Sequence, residues 1–492
     1  MLSRTLNLVA ALSLAIVSLA AHAARDVWPG DDWETATPES QGMSSRALAE
    51  LLTWASFAHV DSLVVTRHGR IVTEAYYAPY DAAMKHRINS ATKAFVGSLV
   101  GIAAAEGLLD PQGGALVQLG ESSTDPARRA ITLQHLIDMT SGIEWHEPLT
   151  SDFPRSLVAM ERSSHWVRYV LDQPMASAPG TEFNYNSGNS QLASAIVARK
   201  TGMSTREFAV RRLLDPIGIR DFRWREDPQG VNTGAMGLYM HTRDMARYGY
   251  LYLNHGEWNG RPVVPRAWVD KVFDAKVPMH PMAQWRYADG WWTLPSKEAY
   301  LAVGYARQLI VVLPRQRVVA AFTGRAGYAF EDVIDKLVGA VRSDEAIAPD
   351  DSAHALLQAE VRKAATPPAP AHAKDASPPQ SHTFRFEPNP ARLRAVTIDF
   401  TGAGRYELQW EDAPEPQVRP LGLQGWSAAA PWRGEVAYSR SQWLGPRKLE
   451  VAVRWPEEAR DQLFLLEFGD RTLDVKFTPA NGKPVRMSAV AQ

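Results

Sequence analysis

Apolar and polar residues alternate from Asp61 to Tyr77, and the alternation breaks at His68-Gly69-Arg70. A period of two buries one face of a strand, and a short glycine-bearing break reverses the chain, so the stretch predicts a β-hairpin. The same logic predicts a second hairpin downstream, with Leu309 to Leu313 and Val318 to Thr323 as strands and Pro314 to Arg317 as the turn. Between the hairpins the apolar spacing becomes helical, over Leu133 to Met139, Ser190 to Lys200 and Arg243 to Asn254, and a last helix is expected from Glu331 to Arg342. Strands at both ends with helices between them predict an α/β (α+β) fold. Its centre is one antiparallel sheet closed by the N- and C-terminal segments, with helical insertions over it.

The texture changes after this last helix. Residues 346–381 are rich in Ala, Pro and charge and read as a linker, with a short helix around Ala353 to Lys363. From His382 onward, short alternating runs such as KLEVAVRW and TLDVKFTP are separated by Gly, Pro and Asp, which predicts a small all-β domain over residues 382–492. The mixed domain then occupies residues 24–345.

The first residues carry one basic side chain, Arg4, an apolar run from Leu6 to Leu19 and a small-x-small site at Ala21-His22-Ala23. The run is short for a membrane span and ends in a cleavage signature, so residues 1–23 read as a signal peptide cut after Ala23. A periplasmic or secreted protein without a membrane span follows. The 53 Lys+Arg against 54 Asp+Glu give a formal net charge of -1, which removes the electrostatic case for a nucleic-acid partner. The chain has no cysteine, so disulfides, thiolate nucleophiles and Cys-ligated metals are excluded, and its 13 histidines form no ligand motif. No metal and no cofactor are expected.

Candidate chemistry starts at NSATKAFVGSLVGIAAAEGLLD, Asn89 to Asp110. Ser90 precedes an apolar helical run, where a serine N-cap alone would account for it. Lys93 lies one turn on and shares its face, and apolar neighbours such as Phe95, Val96 and Leu99 disfavour an ammonium. A lysine so placed can take the proton of the adjacent hydroxyl and leave a nucleophile. Two further stretches add to this. Pro179-Gly180 leads through a loop to Tyr185, whose phenol can relay protons. Gly304-Tyr305-Ala306-Arg307-Gln308 opens a strand whose edge N–H groups can hold an oxyanion.

With these motifs in this order, and with ITLQHLIDMTSGI (Ile131 to Ile143) and the segment Gly237 to Gly260, the chain resembles the serine β-lactamase-like hydrolases. That fold is shared by class C β-lactamases, DD-peptidases, carboxylesterases and 6-aminohexanoate-dimer hydrolases. The resemblance covers about Glu39 to Val341. It implies an antiparallel sheet flanked by helices with a helical subdomain. It also implies Ser90 as acyl-forming nucleophile, Lys93 as its base, Tyr185 as proton relay, and the N–H groups of Ser90 and Gln308 as the oxyanion hole. The implied substrate is a small ester or amide. A β-lactam or D-alanyl peptide is the rival substrate, and a binding or sensor module without turnover is the rival class.

Two departures from the family pattern bear on substrate. Tyr185 is followed by Asn186 and Ser187 where the family has Tyr-x-Asn, so Asn186 and Ser187 are taken as substrate contacts with a hydroxyl in place of an amide. The third motif is Tyr305-Ala306-Arg307 where the family has glycine, and strand alternation would aim Arg307 with Tyr305 into the cleft, favouring a substrate that carries a carboxylate. His135 reads as a helix residue, Thr140-Ser141-Gly142 as a turn, and Trp145, Trp291 and Trp292 chiefly as packing.

Overall fold

In the first hairpin, β1 (Val60–Arg67) and β2 (Arg70–Tyr76) are joined by His68 and Gly69 at φ 50 and 75°, the left-handed pair that a two-residue hairpin turn requires. The structure is a computed structural model of the chain and describes residues 26–149, 153–367, 381–432, 434–480 and 482–492. The expected signal peptide lies outside the described residues.

A three-stranded ribbon follows, made of β3 (His86–Arg87), β4 (Arg223–Trp224) and β5 (Leu238–Met240) in the order β3-β5-β4. After a small hairpin of β6 (Glu257–Trp258) and β7 (Arg261–Pro262) come β8 (Val277–Pro278), β9 (Arg286–Ala288), β10 (Trp291–Leu294), β11 (Ala299–Gly304), β12 (Gln308–Leu313) and β13 (Val318–Gly324). The main sheet is antiparallel and eight-stranded, in the order β2-β1-β13-β12-β11-β10-β9-β8. The first hairpin therefore pairs with the last strand, as the sequence pattern predicts.

Alternation along these strands divides the interior in two. Val64, Ile310, Val312 and Val319 face the helical subdomain, whereas Leu63, Val65, Val311 and Ala320 face the opposite layer. The subdomain side carries α2 (Thr92–Ala105), α3 (Ser187–Thr201) and α4 (Thr242–Leu253). The opposite layer is α1 (Ser45–Phe57), α5 (Phe330–Ala340) and α6 (Asp351–Ala365). Of the segment read as a linker, α6 is thus a full helix that buries Leu357 against α1 and β2, because its apolar positions fall on one face. Residues 368–380 lie outside the described residues.

From His382 to Ala491 the chain forms a ten-stranded antiparallel sheet around an aromatic core that includes Trp443, Phe464, Phe468 and Phe477. Its edge strands, Gln417–Pro420 and Ser427–Ala428, touch, so the sheet nearly closes on itself. Two of its strands, Lys448–Trp455 and Arg460–Phe468, meet in a tip that reaches the first body. There Glu458 accepts from Arg87 and Tyr239, and Glu457 from Arg223. Arg325 bridges Asp61 and Asp461.

Helix α2 has apolar residues on every face, with only Thr92, Lys93 and Ser98 polar, the composition of a helix buried on all sides. Its first turn is seated on the β9–β10 turn, Asp289-Gly290, at φ 52 and 91°. A Cβ on Gly97 would stand 2.0 Å from the Asp289 carbonyl oxygen, and one on Gly290 2.4 Å from the Lys93 carbonyl carbon. Backbone here meets backbone, so neither side can yield cheaply. Gly97→Ala should therefore cost about 1–3 kcal/mol or more, read as a lowered midpoint in chemical denaturation.

The same turn carries a buried acid pair. Asp289 binds Lys271 at 2.7 Å, and Asp138 accepts from Gln134 at 2.8 Å. Burial, followed by the charge of Asp289, pushes the Asp138 carboxyl up to about 7. Its folded value lies above the unfolded value of about 3.9, so its contribution to stability is complete below that unfolded value and is lost as pH rises through the folded one. Thermal unfolding should show the midpoint falling between about pH 4 and 7 and levelling above that. Asp138→Asn should flatten that slope and raise the midpoint at pH 8.

Candidate active site

Ser90 lies in a 3-10 turn, Asn89–Ala91, that runs directly into α2. The residue before α2 is Ala91, and no side chain caps the helix. The capping account of Ser90 is therefore overturned, and its hydroxyl is engaged elsewhere. Lys93, 3% exposed, brings Nζ to 3.0 Å from Ser90 Oγ. The same nitrogen reaches Ser187 Oγ at 3.0 Å and the Ala235 carbonyl at 3.2 Å. The stem is buried among apolar side chains as expected, but the amine itself is ringed by three oxygens.

The directions of these bonds are constrained. Ser187 Oγ donates to Glu147 Oε1 at 2.7 Å, so toward Lys93 it can only accept. A carbonyl also only accepts. Two of the three Nζ contacts therefore have a fixed sense, and only the contact to Ser90 can reverse. A neutral amine that spends its two N–H groups on Ser187 and Ala235 has its lone pair left for the Ser90 hydroxyl. That arrangement can draw a proton from Oγ. The N-terminal end of α2 adds its partial positive charge beside the same oxygen.

Tyr185 stands over this amine, with its ring centroid 4.7 Å from Nζ. Tyr287 and Trp292 hold the ring edge-on, each at 6.4 Å between centroids, and the hydroxyl meets no partner among the described residues. The ring is clamped and its polar end is left available. Trp292 thus supports Tyr185, and Trp291 lies fully buried between Tyr248 and Tyr252.

Asn186 departs from expectation. It is the N-cap of α3, its Oδ1 accepts from the Asn189 N–H at 3.1 Å, and it is 1% exposed. The oxygen of this side chain is committed to the helix end, while its Nδ2 is buried with no partner among the described residues. The helix accordingly begins at Ser187, and Ser187 is the residue delivered to the amine.

The Tyr305–Arg307 segment corrects the strand argument. These residues form a tight turn between β11 and β12, with Ala306 and Arg307 at φ 59 and 65°. Alternation does not apply to such a turn. The left-handed backbone there is where glycine is favoured, and each L-residue in it costs about 1–2 kcal/mol. The Tyr305 ring is 70% exposed, and its carbonyl accepts from Asn89 Nδ2 at 3.2 Å, which ties this turn to the one bearing Ser90. Arg307 donates from Nε to the Tyr328 carbonyl at 2.6 Å and lies 4.0 Å over the Phe330 ring. Its terminal nitrogens bond no described residue. Gln308 begins β12, buried, with Nε2 on the Gly324 carbonyl at 2.8 Å. A Cβ on Gly304 would stand 2.1 Å from the Ile88 carbonyl oxygen, so this strand end and the Ser90 turn are pressed backbone to backbone.

Sequence reasoning missed Glu147 and the Ala235 carbonyl. Glu147 is 9% exposed and accepts from Trp145 Nε1 at 2.7 Å and from the Ser187 N–H at 2.9 Å, besides the hydroxyl of Ser187. No spacing links it to Ser90, since the fold alone brings the two segments together. Among the described residues no His, Asp or Glu cluster could hold a metal, and no helix is long and apolar enough to cross a membrane.

Comparison with known proteins gives the wider setting. The family model described as Beta-lactamase matches residues 55–340. The chain is 27% identical to the 6-aminohexanoate-dimer hydrolase of Paenarthrobacter ureafaciens over 223 residues, 43% of this chain and 56% of that protein. It is 32% identical to the lovastatin esterase of Penicillium rubens over 110 residues, 21% of this chain and 27% of that one. These matches therefore span less than two thirds of either relative. A solved structure, a putative 6-aminohexanoate-dimer hydrolase from Bacillus anthracis, superposes with a TM-score of 0.52 at 22% identity, over 70% of this chain and 88% of its own. At that identity it speaks for the fold.

Proposed function

The chain belongs to the Beta-lactamase family, and from that premise we propose that it is an exported serine hydrolase that cleaves a small ester or amide through an acyl-enzyme on Ser90. The observation that carries the reading is the Lys93 amine, two of whose contacts are fixed as donations and whose third faces the Ser90 hydroxyl at 3.0 Å. In the proposed cycle Lys93 takes the Ser90 proton as Oγ attacks the carbonyl carbon. The backbone N–H groups of Ser90 and Gln308 stabilise the oxyanion, and the tie from Asn89 to Tyr305 supports their being neighbours. Tyr185 passes the proton to the leaving group, and water then releases the acyl chain by the reverse path.

Ester and amide substrates are favoured by the names of the relatives, a dimer hydrolase and an esterase. Ser187 in place of an amide speaks against efficient β-lactam turnover. Arg307 supports a substrate with a carboxylate: its Nε is anchored, its plane is stacked on Phe330, and its terminal nitrogens remain for a two-point contact. Export rests on the signal-like residues 1–23.

Steady release of nitrophenol from p-nitrophenyl acetate or butyrate, and labelling by a fluorophosphonate, are expected of the purified protein. Nitrocefin turnover instead would point to a lactamase, and labelling without turnover to a sensor. Ser90→Ala should abolish labelling, and Lys93→Ala should slow turnover by about a hundredfold or more, as loss of a general base does. Unlabelled Ser90 in the folded wild-type chain would end the covalent reading. For Arg307→Gly, kcat/KM on paired anionic and neutral acyl esters should show the anionic preference lost, and an unchanged ratio would remove Arg307 from substrate recognition.

A further inference from the structure

Glu147 is an acid that nothing in the proposed cycle uses. It is 9% exposed and forms no ion pair with any described residue, yet three donors converge on its two oxygens, from Trp145 and from both the N–H and the hydroxyl of Ser187. A buried carboxylate without a counter-charge is expensive, and hydrogen bonds alone offset only part of that. The nearest group along the bonded chain that can become a cation is the Lys93 amine, one hydroxyl away through contacts of 2.7 and 3.0 Å. The geometry joins Glu147, Ser187, Lys93 and Ser90 into one continuous line.

Resting on the acyl-enzyme reading above, we propose that Glu147 is a positioning residue that acts on Ser90 through Ser187 and Lys93, fixing the direction of the Ser187 hydroxyl and balancing the charge that appears on Lys93 during attack. In the step concerned, the Ser90 Oγ–H bond breaks and its proton joins the Nζ lone pair. The Oγ electron pair forms the bond to the substrate carbonyl carbon, and the carbonyl π pair moves onto its oxygen. Lys93 thereby becomes an ammonium, at the moment when the negative charge beyond Ser187 is of most use. Without Glu147 the Ser187 hydroxyl is free to turn and donate toward Nζ, where it would compete with the Ser90 proton for the lone pair.

A residue with only a packing role would lower the rate or the melting temperature without moving the pH dependence. The pH dependence is therefore the readout. The rate of Ser90 modification by a fluorophosphonate is followed from pH 5 to 10 in the full chain, in Glu147→Gln, in Ser187→Ala and in the double variant. Removing the negative charge disfavours protonated Lys93, so the acid limb of the profile should move to lower pH by roughly one unit. The plateau should fall about tenfold or more, since a weaker base abstracts the proton less well. The double variant should be no worse than the poorer single one, because both cut the same line. Should Glu147→Gln fail to fold, Ser187→Ala, which removes the linking hydroxyl and leaves the carboxylate in place, should still lower the plateau about tenfold, and an unchanged plateau there overturns the connection. An acid limb that stays put in folded Glu147→Gln, with Ser90 still labelled, overturns the role of Glu147 and leaves the acyl-enzyme standing. Failure to label the unsubstituted chain removes the acyl-enzyme reading itself.

Discussion

The placement of one amine determines the organisation of this molecule. Lys93 Nζ sits where the Ser90 turn, the first residue of α3 and the Ala235 carbonyl are reached together. An amine with two obligatory acceptors has one direction left, and that direction is set by the Ala235 carbonyl and by the Ser187 hydroxyl that Glu147 orients. That placement rests on α2, which is buried along nearly its whole length, and on the glycine contacts that hold its first turn against the β9–β10 turn.

Much of this was legible in the chain. Both hairpins follow from alternation and turn residues, and Ser90 with Lys93 is a local relation that helical spacing makes visible. The failures share a physical origin in backbone that leaves the regular periods. Arg307 was assigned a direction by strand alternation, but two consecutive left-handed residues turn the chain there and carry the guanidinium to Tyr328 and Phe330. Asn186 was assigned to substrate, although an Asn three residues before another backbone donor is also a capping pattern, and the helix end claimed it. Glu147 carried no signal, because its bond to Ser187 joins residues forty positions apart, with the helices Arg155–Arg162 and Trp166–Asp172 between them.

The expected apolar setting of Lys93 was half right in an instructive way. Burial of the stem followed from the neighbours in sequence, but the head group draws its surroundings from α3 and from the segment ahead of β5, far along the chain. Local sequence can tell which side chain will be buried. It cannot tell which oxygens will be waiting for it. The same limit applies to the end of β11, where the close approach of Gly304 to Ile88 joins segments more than two hundred residues apart.

The grip of the C-terminal barrel on the ribbon has a mechanical consequence. Its Glu458 holds Arg87 of β3 and Tyr239 of β5, while Ser90 begins three residues after Arg87 and Ile88 is bonded to Leu238. The barrel therefore holds the strand that leads into the Ser90 turn. Through Arg87 and Tyr239 the tip of the barrel is fastened to two strands of the ribbon, in the first case three residues ahead of Ser90, so the ribbon is braced from outside the body to which it belongs.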